Sequence, residues 1–161
     1  MKTVFITGAN GFLGTNLILK LLEEGYNFKA LVRDKQSFIP FSHKNLELIQ
    51  GDLSDPKHLT QVSKECTIVV HTAANRNQDL LYLKDYEETN VQETKNIIEA
   101  CTINTIEQLM YIDTAKTYCY GSLDALGNES NPCAIRIRNR CMHREKPKHK
   151  SVSMLLAQRS T

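Results

Sequence analysis

In VFITGANGFLGTNLI, residues 4–18, a β-branched and aromatic run meets three glycines and continues without a break into a helical pattern. That order leaves the chain few options. A strand entering a helix through Gly8, Gly11 and Gly14 must turn tightly at the first glycine, carry the helix's free N–H groups to the top of a sheet, and let the helix lie close on the strand. Free N–H groups at the positive end of a helix make an anion site. With a second strand about twenty residues further on, the segment reads as a phosphate-binding strand-turn-helix. Gly8 is expected to make the turn, Gly11 to admit a pyrophosphate close to the backbone and Gly14 to pack helix on strand, with Asn10, Phe12 and Leu13 of the same turn as further candidate cofactor-binding residues.

Short β-branched and aromatic runs alternate with longer stretches of helical spacing along the rest of the chain, the pattern of an α/β fold with a parallel sheet. The expected strands are Thr3–Thr7, Phe28–Val32, Leu46–Gln50, Thr67–His71 and Gln108–Ile112. Between the first two, FLGTNLILKLLEEG places Leu13, Leu17, Leu21 and Leu22 on one helical face and stops at Gly25. A second helix, in EETNVQETKNIIEACTI, sets Val91, Thr94, Ile97, Ile98 and Cys101 together. Right-handed crossovers turn such an order into a doubly wound sheet whose strand carboxyl ends share one edge, where ligands bind.

A chain of 161 residues has room for one domain with a full core. Its net charge of +2 conceals a split: residues 1–131 carry −5 and residues 132–161 carry +7. Strand and helix periodicity also stop at Pro132. The expected organisation is therefore a periodic domain over 1–131 and a basic tail, missense or disordered, over 132–161. Cys66, Cys101, Cys119, Cys133 and Cys141 form no CxxC pair, their number is odd, and no secretory leader precedes the first strand, which together point to a reducing, cytoplasmic compartment. No apolar run reaches membrane-spanning length, so no membrane partner is expected.

TGANGFLG resembles the TGxxGxxG fingerprint of the extended short-chain dehydrogenase/reductases, the NAD(P)-dependent epimerase/dehydratase group that includes dihydroflavonol-reductase-like enzymes. GDLSD (Gly51–Asp55), VVHTAA (Val69–Ala74), NVQETKNIIEAC (Asn90–Cys101) and YIDTAKTYCYG (Tyr111–Gly121) follow in the order and at about the spacing of that family. The resemblance covers about residues 2–131. It implies a Rossmann-type α/β fold, incomplete here at its C-terminus, and an NAD(P)-dependent oxidoreductase or sugar-nucleotide epimerase or dehydratase. The implied partners are the dinucleotide and a small-molecule hydroxyl or carbonyl substrate.

Cofactor choice is read at the end of the second strand, in ALVRD. Val32 occupies the place of the usual NAD-selecting Asp and Arg33 follows it; a guanidinium there pairs bidentately with the 2′-phosphate of NADP, with Lys35 as a helper. NADP is favoured, and NAD stays open because Asp34 could turn inward. The resemblance gives Asp52 the adenine amino group, with Leu53 beside it; the alternative for Asp52 is a helix cap ahead of Pro56. Ala73 and Ala74 leave room for the ribose and phosphate bridge. His71 reads as a packed strand-end residue rather than a base. Asn90 matches the family's helix asparagine, which holds a water in a proton relay.

Hydride transfer in this family needs a Tyr–Lys pair for proton transfer and a Ser or Thr to orient the substrate oxygen. Thr114 is the candidate for the latter, with Asp113 before it as a departure from the family's Ser. The Tyr and Lys should arrive as Tyr-x-x-x-Lys on the following helix, and no Tyr follows Gly121. Back-translation offers an explanation. Reading each codon's third base with the first two of the next across Cys141–Lys146 permits Tyr-Ala-Ser-Arg-Lys, the missing motif at about the family's position. A frameshift near Pro132 would replace the catalytic helix with missense sequence.

Two other accounts of the tail are weaker. Seven net positive charges could bind phosphates, but the tail lacks aromatic stacking residues and a clean helical face, so nucleic acid is not the expected partner. Cys133, Cys141, His143 and His149 match no common zinc spacing, and no metal is expected. A non-catalytic dinucleotide-sensing or scaffold protein, using the tail for partner contact, is the competing functional class.

Overall fold

The computed structural model describes residues 2–36, 38, 41–74, 87–112 and 124. Strand β1 (Thr3–Thr7) shows the physics of the sheet's centre: Val4 and Ile6 fall in one buried cluster and Phe5 in the other. Successive side chains of a strand point to opposite faces, so a strand apolar at every position needs cover on both sides. That cover comes from α1 (Phe12–Glu23) on one face, and from α2 (Pro56–Val62) and α3 (Glu93–Ile103) on the other. Ile18 and Leu22 of α1 join Val4, Ile6, Phe28, Ala30, Val32 and Val70. Leu59 of α2 and Ile97, Ala100 and Cys101 of α3 join Phe5, Leu31 and Val69.

The remaining strands are β2 (Asn27–Val32), β3 (Leu46–Gln50), β4 (Ile68–His71) and β5 (Gln108–Tyr111), and a π-helical turn, Glu87–Gln92, runs directly into α3. All pairings are parallel, in the order β3-β2-β1-β4-β5. This is the Rossmann order, with the reversal of winding falling between β1 and β4. Register levels the carboxyl ends: Thr7 lies beside Leu31 and His71, Val32 beside Gln50, and His71 beside Tyr111.

The α/β class and all five expected strands are found, with single-residue shifts at the ends of β2, β4 and β5. The helix faces differ from expectation. In α1 the buried stripe is Gly14, Ile18 and Leu22; Leu17 and Leu21 flank it, and Leu13 is exposed. A Cβ at Gly14 would fall on the carbonyl oxygen of Gly8, so the closest approach of helix to strand is made by a glycine and the stripe is centred there. In α3 the buried residues are Thr94, Asn96, Ile97, Ala100 and Cys101, with Ile98 only half-buried.

Both long helices end in the same way. In α1 the N–H of Tyr26 reaches the Leu21 carbonyl and that of Gly25 the Leu22 carbonyl, with Gly25 at φ +83°; α3 repeats the motif with Ile106 on Cys101 and Thr105 on Thr102. These are Schellman stops. The predicted boundary at residue 131, the basic tail and its cysteines and histidines lie outside the described residues.

Candidate functional site

At the reversal point, β1 leaves the sheet through Gly8, whose φ of +73° is a left-handed conformation that side chains disfavour. Space gives a second reason for glycine: a Cβ there would sit 2.5 Å from Thr72 Oγ1 and 2.8 Å from the Ala73 nitrogen. The loop after β1 and the loop after β4 therefore touch at this point. Gly11 N–H closes the turn onto the Gly8 carbonyl at 3.0 Å, and Thr15 Oγ1 donates to the Ala9 carbonyl at 2.9 Å.

The amino end of α1 is the next element. Its N-cap is Gly11, no side chain caps it, and its first turn holds no acidic residue. An uncapped helix start presents backbone N–H groups and a partial positive charge to whatever lies beyond. Phe12 is 88% exposed and Leu13 44% exposed, so two apolar side chains flank that opening. Such an opening suits an anion such as a dinucleotide's pyrophosphate on charge.

The other arm of the site runs towards β2 and β3. Arg33 follows β2, and Asp52 and Leu53 follow β3. Asp52 does not cap α2: Asp55 does, accepting from His58 N–H at 3.0 Å, with Pro56 in the first turn. Asp52 instead accepts from Ser54 N–H at 2.8 Å. Hydrogen bonding from the Ser54 side chain and N–H, opposed by partial burial and helped by the Arg33 charge, holds its carboxyl below the usual range. Leu53 gives its carbonyl to Asn96 Nδ2 of α3 at 2.8 Å, and Gln92 Nε2 donates to Asn96 Oδ1 at 3.1 Å. Buried Asn96 thus ties α3 to the β3–α2 loop.

Glu93 stands in the first turn of α3, half-buried. Burial, reinforced by the Asp52 charge and opposed by Arg33, pushes its carboxyl up to about 7. Burial likewise raises the thiols of Cys66 to about 11 and of Cys101 to about 12, which leaves both as packing groups at neutral pH.

Ala73 is half-buried and Ala74 exposed, so small side chains follow β4 at the switch point. His71 is 2% exposed, with Nδ1 2.7 Å from Thr7 Oγ1 and Nε2 3.1 Å from Thr94 Oγ1. It is a packed strand-end residue, as its sequence position suggests. Asn90 is half-buried in the π-helical turn and its carbonyl accepts from Thr94 Oγ1 at 2.7 Å. Thr114 and Asp113 lie outside the described residues. Among the described residues no group of three or more His, Cys, Asp or Glu side chains comes together as for a metal, and no helix is long and apolar enough to cross a membrane.

Gly8, Asn10, Gly11, Phe12, Leu13, Gly14, Ala73 and Ala74 thus gather at the switch point, while Arg33, Asp52 and Leu53 follow the neighbouring strand ends. Residues 4–138 match the family described as NAD-dependent epimerase/dehydratase. The chain belongs to that family. The 2-alkyl-3-oxoalkanoate reductase of Shewanella oneidensis is 30% identical over 143 residues, covering 86% of this chain and 35% of the reductase. Human dTDP-D-glucose 4,6-dehydratase is 32% identical over 145 residues, covering 81% of this chain and 41% of the dehydratase. Among solved structures, MoeE5 in complex with UDP-glucose and NAD matches with a TM-score of 0.77 at 25% identity, covering 96% of this chain and 49% of MoeE5. This epimerase/dehydratase-family chain spans less than half the length of these curated relatives.

Sequence reasoning missed Glu93 and Asn96. The signal for Asn96 was its position two residues after Thr94 and one before Ile97, within the apolar arc; nothing local distinguished Glu93 from a solvent-facing helical acid.

Proposed function

We propose that this chain is the dinucleotide-binding part of an NADP(H)-dependent oxidoreductase or sugar-nucleotide epimerase/dehydratase of the cytoplasm. The observation that carries it is the uncapped, acid-free start of α1, entered through left-handed Gly8 at the β1/β4 reversal. The backbone N–H groups of that turn hold the pyrophosphate, with Gly11 at the helix start allowing its approach. Asp52 takes the adenine amino group beside Leu53, and Ala73 and Ala74 leave space for the ribose. Arg33 selects the 2′-phosphate. When bound, the nicotinamide exchanges a hydride with a substrate carbon bearing a hydroxyl or carbonyl. Thr114 orients the substrate oxygen and Asn90 holds the relay water. The general acid-base Tyr-x-x-x-Lys is absent from the sequence, so catalysis by this chain is weak or nil.

Titration of NADPH and NADH by nucleotide fluorescence tests the binding assignment. Saturable binding of both, tighter for NADPH and reduced about tenfold for NADPH alone in Arg33→Ala, is expected of a phosphate-pairing guanidinium. Absence of saturable binding to either nucleotide would sink it.

The missing Tyr–Lys pair also favours a second reading, a dinucleotide sensor or scaffold with a partner-binding tail. Saturable partner binding lost on deleting residues 132–161 would support it. Sequencing the coding DNA decides between the two origins of the tail: an alternate frame that stays open past Thr161 and spells Tyr-x-x-x-Lys marks it as missense.

A further inference from the structure

Three charged side chains stand on neighbouring elements at the strand ends assigned to the adenosine end of the cofactor, where Val32 of β2 pairs with Gln50 of β3. Arg33 comes from the end of β2, Asp52 from the loop after β3 and Glu93 from the first turn of α3. The arrangement is braced, since Asn96 one turn along α3 holds the Leu53 carbonyl next to Asp52 at 2.8 Å. Glu93 is the half-buried member, with Arg33 and Asp52 exposed. Among the described residues the ion pairs are Lys2–Glu107, Lys20–Glu23 and Lys20–Glu24, so neither carboxyl closes a contact pair with Arg33. One guanidinium is thus within the field of two acids and locked to neither.

We propose that Glu93 is a specificity-determining residue for the cofactor, its charge state setting how strongly Arg33 favours a 2′-phosphorylated nucleotide over one with a free 2′-hydroxyl. As a carboxylate, Glu93 attracts the guanidinium and repels a phosphate arriving beside it. As a carboxylic acid it does neither, and Arg33 is left to the phosphate. Asp52 cannot play this part, because its hydrogen bonds from Ser54 keep it ionised at neutral pH. Glu93 is the group that changes charge near neutrality, pushed up by burial and by Asp52 against the opposing pull of Arg33. Among the described residues those two are the charged groups acting on it; Lys57 of α2 and Lys95 of α3 are exposed to solvent. Through Glu93, preference for the phosphorylated cofactor is therefore weakened as pH rises. The inference rests on the dinucleotide-binding reading and adds to it a residue outside the two strand-end loops.

The test measures dissociation constants of NADPH and NADH between pH 6 and pH 8.5 for the wild type and Glu93→Gln. The 2′-phosphate has its own titration in this range, common to both proteins, so the informative quantity is the difference between them. The NADPH-over-NADH ratio should coincide at pH 6 and separate to about tenfold at pH 8.5, with Glu93→Gln the more selective. Equal ratios at pH 8.5 would overturn the inference and leave dinucleotide binding standing; no saturable binding of either nucleotide by the wild type would overturn both. A second measurement needs no variant. By reciprocity, adenosine 2′,5′-bisphosphate should raise the Glu93 titration midpoint, followed by carboxyl ¹³C NMR, by about one pH unit for a tenfold coupling, and adenosine 5′-monophosphate should not. Equal midpoints with the two nucleotides would also overturn it.

Discussion

His71 donates from Nε2 to the hydroxyl of Thr94 at 3.1 Å, and that hydroxyl donates to the carbonyl of Asn90 at 2.7 Å. A hydroxyl has a single proton, so Thr94 faces His71 as an acceptor. The neutral ring then carries its hydrogen on Nε2, and Nδ1 accepts from Thr7 at 2.7 Å. The chain joins the carboxyl ends of β1 and β4 to the π-helical turn that holds Asn90, in a region where π turns recur at functional sites. Thr94→Val should remove both the acceptor facing His71 Nε2 and the hydroxyl bond to the Asn90 carbonyl, at a cost of about 1–3 kcal/mol in a urea melt, with Thr94→Ser close to wild type. Equal stability of the Val and wild-type proteins would remove the chain from the fold's supports.

Glycine substitutions should separate the two functions of the first loop. A Cβ at Gly14 would fall on the Gly8 carbonyl oxygen and lie 2.9 Å from the Gly8 carbonyl carbon, both backbone atoms that cannot swing aside. Gly14→Ala should destabilise by about 1–3 kcal/mol or more as helix and strand are pushed apart. Gly11 has φ −79°, and among the described residues a Cβ there would meet only the Gly8 oxygen, at 3.2 Å. Gly11→Ala should melt within a few degrees of wild type and lose nucleotide affinity instead. A Gly14→Ala protein as stable as the parent would contradict the packing assigned to it.

What the sequence revealed and what it hid follow from the same rule. Strands β1 and β4 bury both faces, so almost every residue is apolar and the runs stand out. Helix α2 did not stand out, because only Leu59 of its seven residues is buried, Val62 packs half-buried beside it, and two apolar positions make no period. Its signal lay in Asp55-Pro56, cap and first-turn proline, where Asp52 was the expected capping alternative. The phosphate-binding turn was legible because backbone geometry dictates glycine there. Glu93 and Asn96 were not, since a helical acid and a helical amide are ordinarily solvated and only the tertiary approach of α3 to the β3–α2 loop gives them partners.

Glu93 also predicts how stability depends on pH. Its carboxyl is raised from 4.5 to about 7 in the folded chain, with burial the leading cause. Over that window the folded state binds more protons than the unfolded, so its contribution is full below about pH 4.5 and is lost as pH rises to about 7. Asp52 runs the other way, its contribution present above its ordinary range and lost on acidification. Glu93→Gln should therefore match wild type near pH 4.5 and exceed it above pH 7, by about 1–2 kcal/mol after allowance for solvent screening. Denaturant melts at pH 5, 6, 7 and 8 would show the gap opening; a constant difference across the series would assign the effect to packing.

His58 supplies a stability prediction away from charge pairing. Its Nε2 is buried without a hydrogen-bond partner among the described residues, and the ring lies over Gly51, where a Cβ would come within 2.6 Å of both Cδ2 and Nε2. An orphaned buried nitrogen costs about 1–3 kcal/mol, and an apolar side chain of similar size removes that cost. His58→Leu should therefore raise the melting temperature, since the backbone cap from His58 N–H to Asp55 survives the change. Gly51→Ala alone should destabilise by crowding the ring, and the same change in a His58→Ala background should be tolerated, because the space is then free. Additive effects of the two alanine substitutions would place the ring elsewhere, while a positive coupling of about 1 kcal/mol or more would locate it over Gly51, beneath the loop that carries Asp52.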